Sequence, residues 1–346
     1  MSLHLRLRRS GRRVAAFVRQ AIHLQLLIAL ESGESDILVG GQAVMEGVMM
    51  RAPHSYAVAV RRPDGSLVTT TRPLVRPSEK HSYWNWPMLR GLATLGQAMA
   101  LGVRALRFSS DHVMDDGPAD ATAEAAADAP AKGEVTSWAM VASIAFSLVF
   151  FIAFYKFVPL VAATEMQRHW AWFGGQIAFN LADGLIRIAM FLLFIGGLAL
   201  LPDIRRLYQY HGAEHKVVFN FESGQRVDVP NARSFTTLHP RCGTSFMIVI
   251  MLIAMALYIL IPAHTFWMRF GVRIALLPVI VGLSYEVIRY GAKHSQSLFA
   301  LMARPGLWLQ RITTQEPTDD QLECSIRSLD EAMRLEQSQG GALVIG

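Results

Sequence analysis

Residues 208–245 read YQYHGAEHKVVFNFESGQRVDVPNARSFTTLHPRCGTS, a polar, histidine-rich stretch set between two long apolar runs. On a helix, His211, Glu214 and His215 stand at offsets zero, three and four and share one face. The order H-x-x-E-H is the inverted form of the zinc-peptidase helix motif. Two imidazoles one turn apart can grip a single ion, while a carboxylate beside them acts as a base or orients an imidazole. Downstream, H-P-R-C sets His239 and Cys242 three positions apart across a proline-containing turn, a spacing that suits two ligands converging on one ion. The two pieces are expected to meet and hold a divalent metal ion, zinc (Zn2+) by its nitrogen and sulfur donors. In that reading His211, His215, His239 and Cys242 are the metal ligands and Glu214 is the catalytic base. Three protein ligands would leave an open position for hydrolysis, whereas four would close the site and make it structural. Pro202 and Asp203 mark the start of the motif helix, Gly224 and Pro230 its end, and 225–238 is expected to be loop. Gly212 beside His211 weakens that helix slightly.

The flanking runs set the fold class. The chain has 346 residues, 52% hydrophobic and 17% charged, with a mean hydropathy of +0.29. Soluble domains carry roughly 25% charged residues. Four segments, 138–161, 177–201, 245–262 and 270–288, reach the roughly 17–25 apolar residues that a bilayer crossing needs. The last two could instead form one buried hairpin, but crossing is the favoured reading. The expected fold is mainly α, a four-helix transmembrane bundle with a small β-containing cytoplasmic region, and its first partner is the lipid bilayer.

The net charge of +6 and isoelectric point near 9.5 do not point to nucleic acid, because the basic residues gather beside the apolar segments. The loop 202–244 carries Arg205, Arg206, Lys216, Arg226, Arg233 and Arg241, against only Arg168 and Arg269 in the connections 162–176 and 263–269. That asymmetry places the loop and both termini in the cytoplasm, with an even number of crossings. The two cysteines, Cys242 and Cys324, then stay reduced, and no disulfide is implied.

The chain divides by composition. Residues 1–36 are Arg-rich and read as a basic amphipathic helix on anionic lipids. Residues 37–110 hold a β region and an interfacial helix: SYAVAVRR alternates, PDG turns and SLVTTTR is β-branched, while 86–110 shows helical spacing with Gly91, Gly96 and Gly102. Residues 111–135 are an Ala/Asp/Pro stretch expected to be a disordered acidic linker. Residues 136–304 form the bundle, with Lys156 placed to snorkel outward. Asp183 and Arg187 form an i,i+4 pair that Arg273 can share. Residues 305–346 close the chain with a helix whose stripe is Leu322, Ile326, Leu329 and Met333, capped by Thr318 and Gln321. Cys324 lies one position off that stripe and reads as structural or incidental. Glu46 and Glu286 are possible additional site residues. Glu286 has Arg289 as its local partner, with a metal as the alternative, and His294 reads as a surface histidine.

At HGAEHK, HPRCGTSF, GGQAVMEGVMMR, LPVIVGLSYEVIR and PGLWLQRITTQEPTDDQLE the sequence resembles the YqhQ-like family of bacterial multi-pass membrane proteins of unknown function. The resemblance covers roughly residues 37–330 without the acidic linker. It implies a metal-dependent enzyme in the bacterial plasma membrane and gives no substrate. Its histidine motifs fall on His211, Glu214, His215, His239 and Cys242, and Glu46 and Glu286 lie in two further motif blocks.

Three function classes stay open at this point. One is a membrane-anchored metallohydrolase, another a scaffold stapled by a structural metal, and the third a small-solute or ion transporter working through Asp183, Arg187 and Glu286.

Overall fold

The structure is a computed structural model that describes residues 39–113, 137–240, 242–294 and 298–338. The basic N-terminal segment with its expected anionic-lipid contact, and the acidic linker from residue 114 to 135, lie outside the described residues. The fold is mainly helical with one small antiparallel sheet.

The sheet is a four-stranded meander in the order β1 (Gly40–Val44), β2 (Gly47–Arg51), β3 (Ser55–Arg61) and β4 (Leu67–Pro73). The alternating run SYAVAVR pairs with LVTTTRP across the PDG turn, as its pattern requires. Both faces of the sheet are buried, so period 2 sorts its side chains into two cores. Val44, Met49, Tyr56, Val58 and Val60 meet Leu101 and Ala105 of α2 (Leu89–Val113), which follows α1 (Pro77–Lys80). Val48, Met50, Ala57 and Ala59 face the other way, onto α5 (Pro202–Glu222) and α11 (Asp319–Ser338). Full burial of each Val, Met or Leu here contributes on the order of 1.5–3 kcal/mol.

The α11 stripe packs on this second face, and the buried surface is wider than the stripe. Cys324 is fully buried and its Sγ donates to Ala59 O at 3.3 Å. Burial pushes that thiol up to about 12. Ser328 Oγ accepts from Met50 N at 3.0 Å and donates to Ala57 O at 3.0 Å. Thr318 N donates to Gln321 Oε1 at 3.0 Å, one half of the expected capping box.

The apolar half is built from α3 (Ser137–His169), α4 (Gln176–Leu198), α7 (Gly243–Leu260), α8 (Phe266–Ala275), α9 (Leu277–Lys293) and α10 (Leu298–Thr313). Three helices are long and apolar enough to cross a membrane, over Ala145–His169, Gln176–Leu198 and Gly243–Leu260. The expected fourth segment, 270–288, is not one straight helix. The chain bends by 50° between α8 and α9. Pro278 sits in the first turn of α9, where its missing N–H breaks the helical ladder. Outward faces carry Phe146, Phe150, Leu185 and Leu193 in the open, a larger apolar exterior than soluble chains show. Residues 111–113 end α2 rather than joining the linker, and α2 packs against α9 where Gly91 meets Tyr285.

Two readings of charge in the bundle are settled by position. Asp183 Oδ2 accepts from Arg187 Nη2 at 2.8 Å and lies 3.1 Å from Arg273 Nη2, so the i,i+4 pair is shared as expected. Lys156 does not snorkel outward. It is 5% exposed, with Nζ 3.4 Å from the Tyr258 hydroxyl, because its helix turns that position inward onto α7.

Candidate metal centre

The site forms where α4 passes into α5 and where α7 begins, at one end of the apolar helices. α5 starts with Pro202 in its first turn and stops at Gly224, whose φ of 69° suits a residue without Cβ. The expected loop 225–238 holds a short helix instead, α6 (Val229–Ser234), because the Asp228 side chain caps it through Asn231 N. Pro230 therefore opens a helical turn rather than closing the earlier helix.

α5 presents His211, Glu214 and His215 toward the HPRC turn. Nδ1 of His211 lies 2.8 Å from the Thr313 carbonyl, and Nδ1 of His215 bonds the Thr237 carbonyl. A carbonyl can only accept, so Nδ1 is the donor in both imidazoles, which leaves Nε2 as the nitrogen available to a metal. This is how a ligating histidine is usually oriented. The rings meet edge to face with centroids 4.4 Å apart. Cys242 Sγ lies 3.3 Å from His211 Nε2, and ligand atoms of His211, His215 and Cys242 all fall within 4.8 Å of one another. Donors held tetrahedrally at zinc distances are about 3.3–3.8 Å apart. For two imidazoles and one thiolate the separations are at the short end of that range, so the trio fits a single ion with a closing of at most about 1.5 Å.

Glu214 and His239 border the trio without joining it. Glu214 is buried, with Oε2 3.4 Å from His215 Nε2. The strand β1 lies directly over it, and a Cβ at Gly41 would come within 2.6 Å of Glu214 Cγ. The His239 ring lies between His215 and Phe219, tilted against both, with its Nε2 3.5 Å from Glu222 Oε2. Burial lowers the His239 pKa from its ordinary value. A pocket of about 480 Å³ opens beside these residues, lined by Val39, Gly41, Leu207, Tyr208 and Val218 as well as the four histidine-motif side chains and Cys242.

Two other acids are held elsewhere. Glu46, in the turn between β1 and β2 at φ 50°, takes the Arg206 guanidinium and the Tyr210 hydroxyl. Glu286 takes the Arg90 guanidinium and the Met88 N–H rather than its local neighbour Arg289. His294 is exposed and stacks on Tyr290.

Two features of the site were not singled out from the sequence. Gln310, in α10, is fully buried and bonds both main-chain groups of His239. The segment after α10 runs along α5, where Gln315 N donates to Tyr208 O at 2.9 Å. A Cβ at Gly212 would fall 2.1 Å from the Gln315 carbonyl oxygen. The glycine that weakens the helix is thus what lets this segment, and the Thr313 carbonyl, reach His211. The only signal for either feature was that QRITTQ lies inside one of the recurring motif blocks.

Comparison with known proteins gives a family without a function. A family model described as "Protein of unknown function (DUF1385)" matches residues 86–335. The chain is 36% identical over 302 residues, 86% of its length and 92% of the relative's, to "Uncharacterized protein YqhQ" of Bacillus subtilis (strain 168). No solved structure matches. With more than half its length covered by the family model, the chain belongs to the DUF1385 family of proteins of unknown function.

Proposed function

We propose that this protein is a membrane-embedded metal-dependent enzyme of hydrolase type, with its site at the cytoplasmic rim of a helical bundle. The observation that carries the reading is the convergence of ligand atoms of His211, His215 and Cys242 beside an open pocket. Three ligands and an adjoining pocket match the open coordination of catalytic sites better than the closed four-ligand structural kind. His239 lies outside the group of three, with its Nε2 3.5 Å from Glu222 Oε2.

His211, His215 and Cys242 would hold a divalent ion such as zinc, which would supply Lewis acidity beside the pocket. The chain's own residues do the rest. The Thr313 and Thr237 carbonyls fix the tautomers of His211 and His215. The Glu214 carboxylate, buried against His215, stands where it can take a proton from a water entering the pocket. Val39, Leu207 and Val218 give the pocket an apolar wall that limits the approach of further water. The basic residues Arg205 and Arg206 at this end support the cytoplasmic placement, and the exposed apolar belt of α3 and α4 supports embedding in a bilayer.

The test is Glu214→Gln in full-length protein reconstituted in proteoliposomes. Metal content and hydrolysis of a panel of ester, phosphodiester and peptide substrates are both measured. The enzyme reading expects full metal content and at least a hundredfold loss of any wild-type hydrolysis. Unchanged hydrolysis in the variant would reduce the metal to a staple between α5 and the HPRC turn.

A further inference from the structure

At the opposite end of the apolar helices lies a second polar centre. Among the described residues of the apolar helices and their connections, 137–200 and 243–294, the acids are Glu165, Asp183 and Glu286. Glu165 is spent on Arg168 and Glu286 on Arg90. Asp183 alone faces Arg187 and Arg273, both almost fully buried, and Oδ2 takes both guanidiniums. Arg187, Arg273 and the Lys156 ammonium gather around the Tyr258 ring, with centroid distances of 5.6, 4.8 and 5.7 Å. Arg269 lies just outside, its guanidinium 3.7 Å over the Phe179 ring. Two buried guanidiniums thus share one carboxylate, with Arg269 bonded instead to the Ala263 carbonyl and Gln167 Oε1.

Buried charge is costly unless it is matched. Among the described residues, Arg187 Nε and Nη1 and Arg273 Nε make no hydrogen bond. Asp183 Oδ1 also makes none there; a bridging water would satisfy that oxygen but would not balance the charge. Beside this cluster a pocket of about 250 Å³ opens between the α3–α4 and α7–α8 turns, lined by Asn180, Tyr258, His264, Arg269 and Arg273. At roughly 30 Å³ per water in the liquid, it has room for a phosphate group and several waters. Planar guanidinium forks favour such oxyanions as partners.

We propose that this pocket binds a phosphate-class oxyanion, carried by a lipid headgroup or free in solution, which supplies the negative charge that the cluster lacks. Arg273 and Arg269 hold the anion from the pocket wall, and Arg187 stabilises it from behind Tyr258. The site is separate from the histidine cluster and does not rest on the enzyme reading.

The experiment uses the full chain in phosphatidylcholine nanodiscs, in nanodiscs containing phosphatidylglycerol, and in phosphatidylcholine nanodiscs with inorganic phosphate added. Sodium chloride at matched ionic strength is the control, and unfolding temperature and phosphate retention by phosphorus NMR are read. Either phosphate source is expected to raise the unfolding temperature by several degrees. A rise with inorganic phosphate assigns a free anion, and a rise only with phosphatidylglycerol assigns a headgroup. Asn180→Asp sets a second carboxylate where Asn180 Oδ1 now lies 3.1 Å from Arg273 Nη2, so this variant should be stable without phosphate and lose the shift. Arg269→Gln leaves the Asp183 pairs intact and should weaken inorganic phosphate or phosphatidylglycerol binding about tenfold. The proposal is overturned if neither source moves wild type beyond the chloride control. It is equally overturned if both variants keep the full shift, or if Arg269→Gln keeps it when Asn180→Asp does not fold.

Discussion

Gln310 holds both main-chain groups of His239: the His239 N–H donates to Gln310 Oε1 at 2.7 Å, and Gln310 Nε2 donates to the His239 carbonyl at 2.8 Å. One amide thus takes the place of a neighbouring strand and fixes the turn that carries Cys242. Ser245 Oγ, 3.3 Å from the same Nε2, ties that amide to the start of α7. Gln310→Leu would leave a buried donor and a buried acceptor unmet, at about 1–3 kcal/mol each. The expected result is a loss of about 2–6 kcal/mol in denaturant unfolding, with weaker metal retention. Gln310→Glu keeps the acceptor for the His239 N–H but sets a carboxylate against the His239 carbonyl, so it should not restore stability.

Gly212 sits where two effects of alanine oppose each other. Helix propensity alone favours Gly212→Ala by about 0.8–1 kcal/mol. The new Cβ, however, would meet the Gln315 carbonyl at 2.1 Å, a main-chain atom that cannot swing aside. Overpacking of that kind costs about 1–3 kcal/mol or more, so Gly212→Ala should lower the unfolding temperature. Gly96→Ala is the control. Nothing lies within 4 Å of its added Cβ, and it should raise stability by about 0.5–1 kcal/mol.

Glu336 makes stability depend on pH in the acid range. Burial alone would raise its pKa, but the His54 N–H, the His54 ring and the Ser55 hydroxyl outweigh burial and hold it below the ordinary value. A carboxyl with a depressed folded-state pKa binds fewer protons than in the unfolded chain. Its stabilisation is therefore present above the unfolded value, near 4.5, and is lost as pH falls through the folded value. Unfolding measured from pH 6 down to pH 3 should show a larger loss in wild type than in Glu336→Gln. Equal pH slopes in the two proteins would remove Glu336 from the account.

What the sequence made legible is what local rules govern. Pro202 and Gly224 bound α5 because a proline in the first turn and a glycine past the last turn are local signals. The alternation of Tyr56, Val58 and Val60 with Ala57 and Ala59 separates the two cores of the sheet because period 2 is a local property. Asp183 with Arg187 was legible as an i,i+4 pair. The partners of Glu286 and Glu46 were not. Arg90 and Arg206 stand 196 and 160 residues away, and only the tertiary packing of α2 on α9, and of β1 on α5, brings them near. The inward turn of Lys156 is likewise set by packing among helices, whereas the bend before α9 has a local mark in Pro278. At the site, the face shared by His211, Glu214 and His215 followed from helical spacing, whereas the orienting carbonyls of Thr237 and Thr313 belong to side-chain-independent main chain and leave no mark in composition.

The central claim is that His211, His215 and Cys242 hold one ion. Elemental analysis of the purified full-length chain, alongside His211→Ala, His215→Ala, Cys242→Ala, Glu46→Gln and Glu286→Gln, tests it most directly. About one zinc-class ion per chain is expected in wild type and in the two glutamate variants, falling at least tenfold in each ligand variant. Wild-type protein that neither purifies with nor takes up a metal, or a His211→Ala, His215→Ala double variant that keeps it in full, would contradict the account.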